Sequence, residues 1–338
     1  MDRNTLLAFF LISLVLVFTP KYMEMVSPPP EKGEIEEFSV ADTIRSAEQL
    51  NLTAPNNKPE AQLEPGTTLS LPRLSTRGPE KLLSVNTSLY SATLSSISGG
   101  SFVSFKFNQY FKSDSQFVDI INNKKNLLIN GKDLDGTPLL LNEPWELVSH
   151  EKGFTQKVVF RKEVFPEEYI YKTLSFYDDS YVVDVEIDMV EMSNNVYRNS
   201  EFTWDGGLSS TEENVDDDVY YFNSYALQGG ELESLKVGSG DSEKATLNGI
   251  TDWAAIRTKY FTVAIIPENK KSISSVTLSG TGDTTETYGM SFVFDPIEKQ
   301  AFKLYLGPLE YDRVRSLGVS LLGTLHSTSL LPNSPLCL

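Results

Sequence analysis

The segment Tyr181–Met192 has the sequence YVVDVEIDMVEM, in which apolar residues occupy every second position. Acidic residues fill the positions between them, so that the apolar set alternates with the acidic set: Val183, Val185, Ile187 and Met189 against Asp184, Glu186 and Asp188. Successive side chains of a β-strand point to opposite faces of a sheet. The segment therefore predicts a strand with one face in a core and the other face in water.

Runs of the same kind lie on both sides of this segment, rich in Val, Ile, Phe and Tyr and separated by Gly, Asn and Asp: Phe154–Val164, Tyr169–Tyr177, Val219–Leu227, Ile273–Leu278, Tyr288–Phe294 and Ala301–Leu306. A sustained helical period is missing between Leu82 and Gly307. This pattern predicts an all-β domain, a large antiparallel sandwich of about fifteen to twenty strands. One closing helix is expected at Pro308–Leu317, with acidic residues near its start and arginines near its end.

The N-terminal region contains an apolar run, Leu6–Phe18, interrupted only by Ser13. A cleavable signal peptide and an uncleaved anchor both begin this way, but the small residues of a cleavage site do not follow the run. We therefore expect residues 1–26 to form a transmembrane signal anchor. Arg3 and the amino terminus precede the run and acidic residues follow it, which indicates that the rest of the chain lies outside the cytoplasm.

Between the anchor and the strands, residues 27–81 are rich in proline and acidic residues, a composition that cannot bury enough apolar surface to fold. We interpret this segment as a flexible tether. The β-domain is expected to span residues 82–320. The remaining residues, 321–338, contain Leu, Ser and Pro without a regular period and do not include a second apolar span of membrane length.

The composition excludes several classes of function. A net charge of −17 argues against nucleic acid as a partner, because phosphate binding requires clustered Lys and Arg. His150 and His326 are the only histidines, which disfavours histidine metal sites and His-based triads, and the single cysteine, Cys337, excludes an intrachain disulfide. The sequence therefore predicts no catalytic residue, no metal site and no cofactor.

Three groups of residues could still carry chemistry or binding. His150 could act as an acid in a sugar-converting enzyme, although its SHEKG context favours a surface position at a strand end or turn. The acidic cluster, defined as Glu212, Glu213, Asp216, Asp217 and Asp218, could bind Ca²⁺, but it lacks the EF-hand spacing and a solvated loop is the favoured interpretation. Trp253 and the pair Tyr260–Phe261 could contact a partner if exposed, and buried core positions are favoured for them.

Three segments together resemble the periplasmic domain of bacterial YidC proteins, in the YidC/Oxa/Alb family of membrane protein insertases. The first is Ser84–Tyr110, with Gly99 and Gly100 at a turn between strands. The second, Trp253–Pro267, reads WAAIRTKYFTVAIIP and contains Tyr260 and Phe261. The third is Tyr288–Leu317, with a Gly-Pro corner at Gly307 and Pro308. The resemblance covers about residues 1–320, and it implies a structural role for the eight motif residues: Gly99, Gly100, Trp253, Tyr260, Phe261, Pro267, Gly307 and Pro308.

The resemblance implies a galactose-mutarotase-like β-supersandwich in a protein of the bacterial inner membrane, with the main domain in the periplasm. It also implies a scaffold or docking role in the insertion, folding and assembly of inner-membrane proteins, and the Sec translocon and nascent membrane proteins as partners. Family members continue into membrane-spanning helices that form a groove for the client. Residues 321–338 depart from that pattern and are interpreted as a truncated or frame-shifted end. Two alternatives remain, a mutarotase-like enzyme and a carbohydrate-binding module, secreted or anchored.

Overall fold

The computed structural model describes residues 78–121, 123, 125–283 and 286–317. The expected anchor (1–26), the expected tether up to residue 77 and the tail 321–338 lie outside the described residues. Within the described ranges, no helix combines the length and the apolar character needed to cross a bilayer. Apart from residues 78–81, the described residues belong to the region for which the sequence predicts a β-sandwich.

Eighteen β-strands form three sheets in the described residues, and every named strand pair is antiparallel. The four-stranded sheet has the order β1 (Leu82–Asn86), β2 (Tyr90–Ser95), β3 (Ser101–Phe111) and β4 (Phe117–Asp119). The five-stranded sheet has the order β13 (Ser242–Asn248), β16 (Ile273–Gly282), β17 (Glu286–Phe294), β10 (Ser200–Trp204) and β5 (Leu128–Asn130). The nine-stranded sheet has the order β12 (Glu231–Leu235), β11 (Asn223–Gln228), β14 (Thr251–Arg257), β15 (Phe261–Pro267), β18 (Gln300–Pro308), β9 (Val182–Asp188), β8 (Glu168–Tyr177), β7 (Thr155–Phe165) and β6 (Glu146–Glu151). The predicted all-β antiparallel class is confirmed.

The two smaller sheets pack on the same face of the nine-stranded sheet. Phe302 of β18 lies 4.8 Å, centroid to centroid, from Phe202 of the five-stranded sheet. Phe176 of β8 lies 6.4 Å from Phe102 of the four-stranded sheet. Phe302 and Phe176 lie opposite alternate residues of β9, so both side chains point to one face of the sheet. We call this face the core face and the opposite one the outer face.

Strand β9 shows the alternation that its sequence predicts. Its core-face residues Val183, Val185 and Ile187 are buried, while Asp184 and Glu186 on the outer face are accessible. The strand ends at Asp188, whose side chain accepts a hydrogen bond from the backbone N–H of Val190, and a short 3₁₀ turn follows at Val190–Met192. The predicted strand Tyr181–Met192 is therefore too long at its C-terminal end.

The predicted strand Val219–Leu227 is wrong in its first half. Val215–Val219 forms a short helix, α1, and the strand β11 begins only at Asn223. Three consecutive aspartates, Asp216–Asp218, lie in the first turn of α1, where negative charge is favourable next to the positive end of the helix dipole. Apolar periodicity alone did not register this local electrostatic preference.

The predicted Gly-Pro corner is also wrong. Gly307 and Pro308 are the last two residues of β18, and they pair with Thr262 and Phe261 of β15. Proline lacks the N–H that a central strand position needs, but it is tolerated at a strand terminus. The closing helix, α2, is correspondingly shorter than predicted and spans Tyr311–Ser316.

Candidate functional site

Gly99 and Gly100 form the turn between β2 and β3. Their φ values of +66° and +107° lie in the region that side chains other than glycine rarely adopt. A Cβ atom at Gly99 would lie 2.6 Å from Cε3 of Trp145, and one at Gly100 would lie 2.7 Å from Cδ1 of Leu174. Both positions therefore require glycine so that the turn can pack directly on core side chains.

Lys172, which sequence reasoning missed, is hydrogen-bonded to the segment that leads into this turn. It lies on the core face of β8 and its side chain is fully buried. Its Nζ donates to the backbone oxygen of Ser98 at 2.8 Å and to that of Leu127 at 2.5 Å, and both acceptor residues have positive φ. Desolvation by burial lowers the pKa of Lys172 to about 7. The amine thus ties two strained loops to the large sheet.

The second motif segment lies in the hairpin of β14 and β15. Trp253 is fully buried in β14, and Phe261 stacks on Phe107 of β3 with a centroid distance of 4.8 Å. Pro267 ends β15 and is also buried, whereas Tyr260 lies in the turn and is only partly buried. Trp253 and Phe261 therefore pack in the core and do not form an exposed aromatic contact site.

Gly307 allows a close approach inside β18. Tyr305 donates its hydroxyl to the backbone oxygen of Pro308 at 2.7 Å, and a Cβ atom at Gly307 would lie 2.6 Å from that hydroxyl. Burial raises the pKa of the Tyr305 hydroxyl, so that it remains a donor. Like the other motif residues, Gly307 and Pro308 do not line a shallow depression that residues of β7, β8, β9 and β18 form on the outer face of the nine-stranded sheet.

The outer face of the nine-stranded sheet carries a charged surface. One row of directly opposed residues runs across five strands with charges of alternating sign: Glu151, Lys157, Ser175, Asp184 and Lys303. The neighbouring row contributes Thr173, Glu186 and Ala301. Because directly opposed residues of antiparallel strands point to the same face, these side chains form one continuous surface.

A shallow depression of about 210 Å³ lies in this surface, and Lys157, Ser175, Asp184 and Glu268 are among the residues that line it. Lys303 beside it pairs with Asp184 at 3.3 Å and with Glu268 at 3.1 Å. Just before β18, Lys299 forms ion pairs with Asp188 at 2.9 Å and with Glu186 at 3.8 Å, near the end of β9. We call this charged region of β7, β8, β9 and β18 the outer-face patch.

The pKa shifts in the outer-face patch favour a charged Lys303 and a neutral, hydrogen-donating Tyr177. Partial burial of Lys303 opposes its charge, but the carboxylates of Glu268 and Asp184 outweigh that effect and raise the pKa of the lysine. Tyr177 donates its hydroxyl to Asp184 Oδ2 at 2.5 Å, and this hydrogen bond is the main reason why the pKa of Tyr177 is raised. A patch of paired ions and hydroxyls can bind polar ligands of either sign. A proton-transfer site instead needs a group whose pKa is poised near the working pH.

His150 lies on the other side of the same sheet. It is directly opposed to Val158, which is opposed to Leu174 and then to Val185, and all three are buried in the core. His150 therefore belongs to the core-face row, whereas the carboxylate of Asp184 belongs to the outer face. The structure places the candidate acid and this carboxylate on opposite faces, and it places His150 within β6 near its C-terminal end.

The acidic cluster departs from the predicted solvated loop at Asp218, whereas Glu213, Asp216 and Asp217 are exposed as predicted. Asp218 is fully buried at the end of α1, where Oδ2 accepts hydrogen bonds from Ser210 Oγ and Thr211 N at 2.9 and 2.8 Å. Its Oδ1 accepts a bond from the backbone N–H of Lys259 at 3.0 Å. In the described residues, acidic, histidine and cysteine side chains do not gather into a group that could hold a metal ion. Asp218 thus connects the segment before β11 to the β14–β15 turn.

Comparison with known families gives one match that covers most of the chain. A family model described as the YidC periplasmic domain matches residues 82–325. Proteins named membrane protein insertase YidC are 29% identical in Prosthecochloris aestuarii and 28% identical in Chlorobium limicola, in both cases over 95% of this chain. The chain spans 56% of the length of each of these two relatives.

Among solved structures, the chain is similar to a galactose mutarotase related enzyme from Lactobacillus acidophilus, with a TM-score of 0.43 and 9% identity. That similarity covers 67% of this chain and 97% of the enzyme. An α-N-acetylgalactosaminidase from Bifidobacterium bifidum is similar with a TM-score of 0.47 and 11% identity, over 70% of this chain and 38% of the enzyme. At such low identities these similarities say nothing about activity.

Proposed function

This chain belongs to the YidC periplasmic domain family, and on that premise we propose that its β-sandwich serves a membrane protein insertase of the bacterial inner membrane. In this proposal the domain lies in the periplasm and assists the insertion, folding and assembly of inner-membrane proteins as a scaffold or docking module. The observation that carries the proposal is the family match over residues 82–325. Relatives that align with 95% of the chain and bear the insertase name support it.

The sequence supplies the means of keeping such a domain at the membrane. We propose that residues 1–26 form an uncleaved signal anchor with its N-terminus in the cytoplasm and that residues 27–81 form a flexible tether. A flexible chain of this length has a root-mean-square end-to-end distance of about 40 Å, from about 5–6 Å multiplied by the square root of the residue number. The tether would therefore keep the sandwich within one domain diameter of the bilayer surface.

We propose the outer-face patch as the docking surface of the sandwich, with the Sec translocon and nascent membrane proteins as partners. The two smaller sheets cover the core face of the nine-stranded sheet. Its outer face is therefore the face of this sheet that a partner can reach. Charges of alternating sign from Lys157, Asp184 and Lys303 can position polar partner groups, and such electrostatic complementarity contributes mainly to specificity and association rate.

Site-specific photo-crosslinking in living bacteria tests this proposal. A photoreactive phenylalanine analogue would replace Ser175 in the depression of the full chain, and Thr277 on the five-stranded sheet, which is hydrogen-bonded to Thr246, would serve as the matched control. We expect adducts with a Sec translocon component or with newly made membrane proteins at position 175 only. The same adducts at both positions, or adducts only with soluble periplasmic proteins, would contradict a specific docking role.

We propose that the domain does not work as a mutarotase-like enzyme, because sugar-ring opening needs an acid and a base beside one substrate. His150 faces the core side of the sheet with its Nε2 atom buried, and the accessible carboxylates of the outer-face patch lie on the opposite face. We therefore expect sugar anomerisation to proceed at the rate of the uncatalysed reaction with the native chain and with the variant His150→Ala alike. Any rate that depends on His150 would restore the enzyme alternative, and specific hits on a glycan array would restore the carbohydrate-binding alternative.

A further inference from the structure

Several turns of the sandwich meet at one end of the molecule. Hydrogen bonds join the β1–β2 turn to the β8–β9 turn (Ser88 N to Asp178 Oδ1, 3.0 Å) and the β8–β9 turn to the β6–β7 turn (Asp178 N to Phe154 O, 3.2 Å). The segment after β18 is joined to the β14–β15 turn by Leu309 N and Tyr260 O at 2.7 Å. We call this end, with the β3–β4 loop, α1 and α2, the aromatic end.

Exposed aromatic side chains are concentrated there. Six aromatic residues are exposed in the part of the chain that the structure describes, and five of them lie on strand ends, turns or helix ends of the aromatic end: Phe111, Phe117, Phe154, Tyr220 and Tyr311. Their exposed fractions range from 45% for Phe111 to 71% for Tyr220. The sixth, Tyr197, follows β9 at the opposite end of the sheet, where its N–H donates to Lys132 O. Single exposed apolar residues are ordinary, but their collection at one end is not.

Hydrogen bonds fix part of the backbone that carries the exposed rings. Phe111 and Phe117 lie at the ends of the β3–β4 loop with their centroids 4.8 Å apart. The preceding residue, Tyr110, donates its hydroxyl to Glu310 Oε1 at 2.5 Å, and Arg313 Nε donates to Glu310 Oε2 at 2.6 Å. These bonds fix the base of the β3–β4 hairpin to α2. Phe111, Phe117 and Tyr311 therefore project from elements that hydrogen bonds hold together.

Cationic side chains accompany the exposed rings. Lys236 Nζ lies 4.8 Å from the ring centre of Tyr220, and the Arg315 guanidinium lies 6.0 Å from that of Tyr311. Lys112 directly follows Phe111 in the sequence. Aromatic rings together with Lys and Arg form the composition of the bilayer interface, where rings sit at the headgroup level and long cationic side chains extend to the phosphates.

The distribution of the rings favours a lipid surface over a protein partner. The five rings belong to four separate elements, the β3–β4 loop, the β6–β7 turn, the residue after α1, and α2, rather than to one groove that a peptide or helix could fill. Exposed acidic residues, Asp114, Asp216, Asp217 and Asp312, lie among them. Attraction to anionic headgroups is therefore weak, and insertion of the rings must supply the binding energy.

We propose that the aromatic end rests on the bilayer, with Phe111, Phe117, Phe154, Tyr220 and Tyr311 inserted at the headgroup level. This inference rests on the proposed function in one respect, because the anchor and tether of residues 1–81 keep the domain near the membrane. Docking by this end turns the long strands of the sandwich away from the bilayer plane, since the turns that join them lie at the aromatic end. In this orientation the outer-face patch faces the periplasm at the side of the domain and does not contact the bilayer.

Quenching of tryptophan fluorescence by brominated phosphatidylcholine tests the proposal with the full chain in proteoliposomes. The native tryptophans, Trp145, Trp204 and Trp253, are buried and provide a constant background. We expect the added emission of Phe117→Trp and of Phe154→Trp to be largely lost in brominated vesicles, with little dependence on salt. The matched control is Tyr197→Trp, an exposed aromatic position at the opposite end, whose added emission should be retained.

Equal quenching at positions 117, 154 and 197 would overturn the proposal, and so would a blue-shifted but unquenched emission, which indicates a protein surface. A second variant guards against misfolding: Phe111→Ser with Phe117→Ser should preserve the circular dichroism spectrum but reduce the quenching of Phe154→Trp. Flotation of the chain with the vesicles reports on the anchor separately. Failure of the quenching test is thus distinguishable from failure of the anchor or of the docking role tested by crosslinking.

Discussion

Lys172 and Lys303 belong to the same nine-stranded sheet, but they lie on opposite faces and serve different purposes. On the core face, Lys172 is fully buried, its pKa is lowered to about 7 by desolvation, and it bonds only backbone oxygens among its described contacts. On the outer face, Lys303 is 45% exposed and its pKa is raised by Glu268 and Asp184. The comparison separates a face that holds the fold together from a face that is available to partners.

The largest effect is expected where the core face meets a turn. Gly100→Val would place a branched side chain at φ +107°, against Leu174 and Phe160. Backbone strain and overpacking together should lower the free energy of unfolding by about 3–5 kcal/mol, measured by urea denaturation. Gly229→Ala is the control, because Gly229 also has positive φ but a Cβ there meets open space, and its cost should be about 1 kcal/mol. Equal costs would show that packing under the turn is unimportant.

Removal of the buried amine should have the next largest effect. Lys172→Met keeps the length of the side chain but leaves the backbone oxygens of Ser98 and Leu127 without the donor that they have in the native protein. We expect a loss of about 1–3 kcal/mol in the free energy of unfolding. Lys157→Met on the outer face of the adjacent strand is the matched control and should change stability by less than about 0.5 kcal/mol. A stabilised Lys172→Met variant would mean that desolvation of the lysine outweighs its hydrogen bonds.

The same lysine predicts a pH dependence whose sign is fixed by the direction of its shift. The pKa is about 7 in the folded protein and about 10.4 in an unfolded chain, so the unfolded chain binds more protons between these values. Stability should therefore rise with pH across this window, by at most about 1.4 kcal/mol per pH unit. Denaturation of the native chain and of Lys172→Met at several pH values isolates this contribution as their difference. The free energy of unfolding of the native chain minus that of Lys172→Met should rise between pH 7 and pH 10. If this difference falls or stays constant, the lowered pKa is contradicted.

The smallest effect on stability is expected on the outer face. Asp184→Asn combined with Lys303→Met removes an ion pair whose side chains are 33% and 45% exposed. Solvent screening reduces such pairs to about 0–1 kcal/mol. The unfolding midpoint in urea should therefore stay close to that of the native chain. A loss as large as that of Lys172→Met would assign the outer-face patch to the fold rather than to binding.

Sequence periodicity located the strands whose two faces differ in polarity, such as β9, because burial of one face enforces the alternation. It failed at α1, where local electrostatics decides, and it ended the strand Ala301–Leu306 two residues too early, because pairing with β15 continues β18 to Pro308. The sequence does contain a signal for Lys172. The residue shares the buried face of β8 with Ile170, Leu174 and Phe176, so its position should be apolar. A lysine in the apolar phase of a strand indicates a buried hydrogen-bonded amine.

The outer-face patch and the aromatic end could not be obtained from the sequence. Asp184 and Lys303 are 119 residues apart in the chain, and only the order of the sheet brings them together. The exposed rings belong to turns that meet only in the folded molecule. The eight motif residues, which the resemblance identifies, lie instead at turns, strand ends and core positions, and their structural role remains a prediction.

The separation of the two faces is tested most directly by crosslinking from Ser175 in the double variant Asp184→Asn with Lys303→Met. The account predicts that the yield of adducts with Sec translocon components or nascent membrane proteins falls while the free energy of unfolding is unchanged. An undiminished yield of the same adducts would contradict the assignment of the outer-face patch as the docking surface.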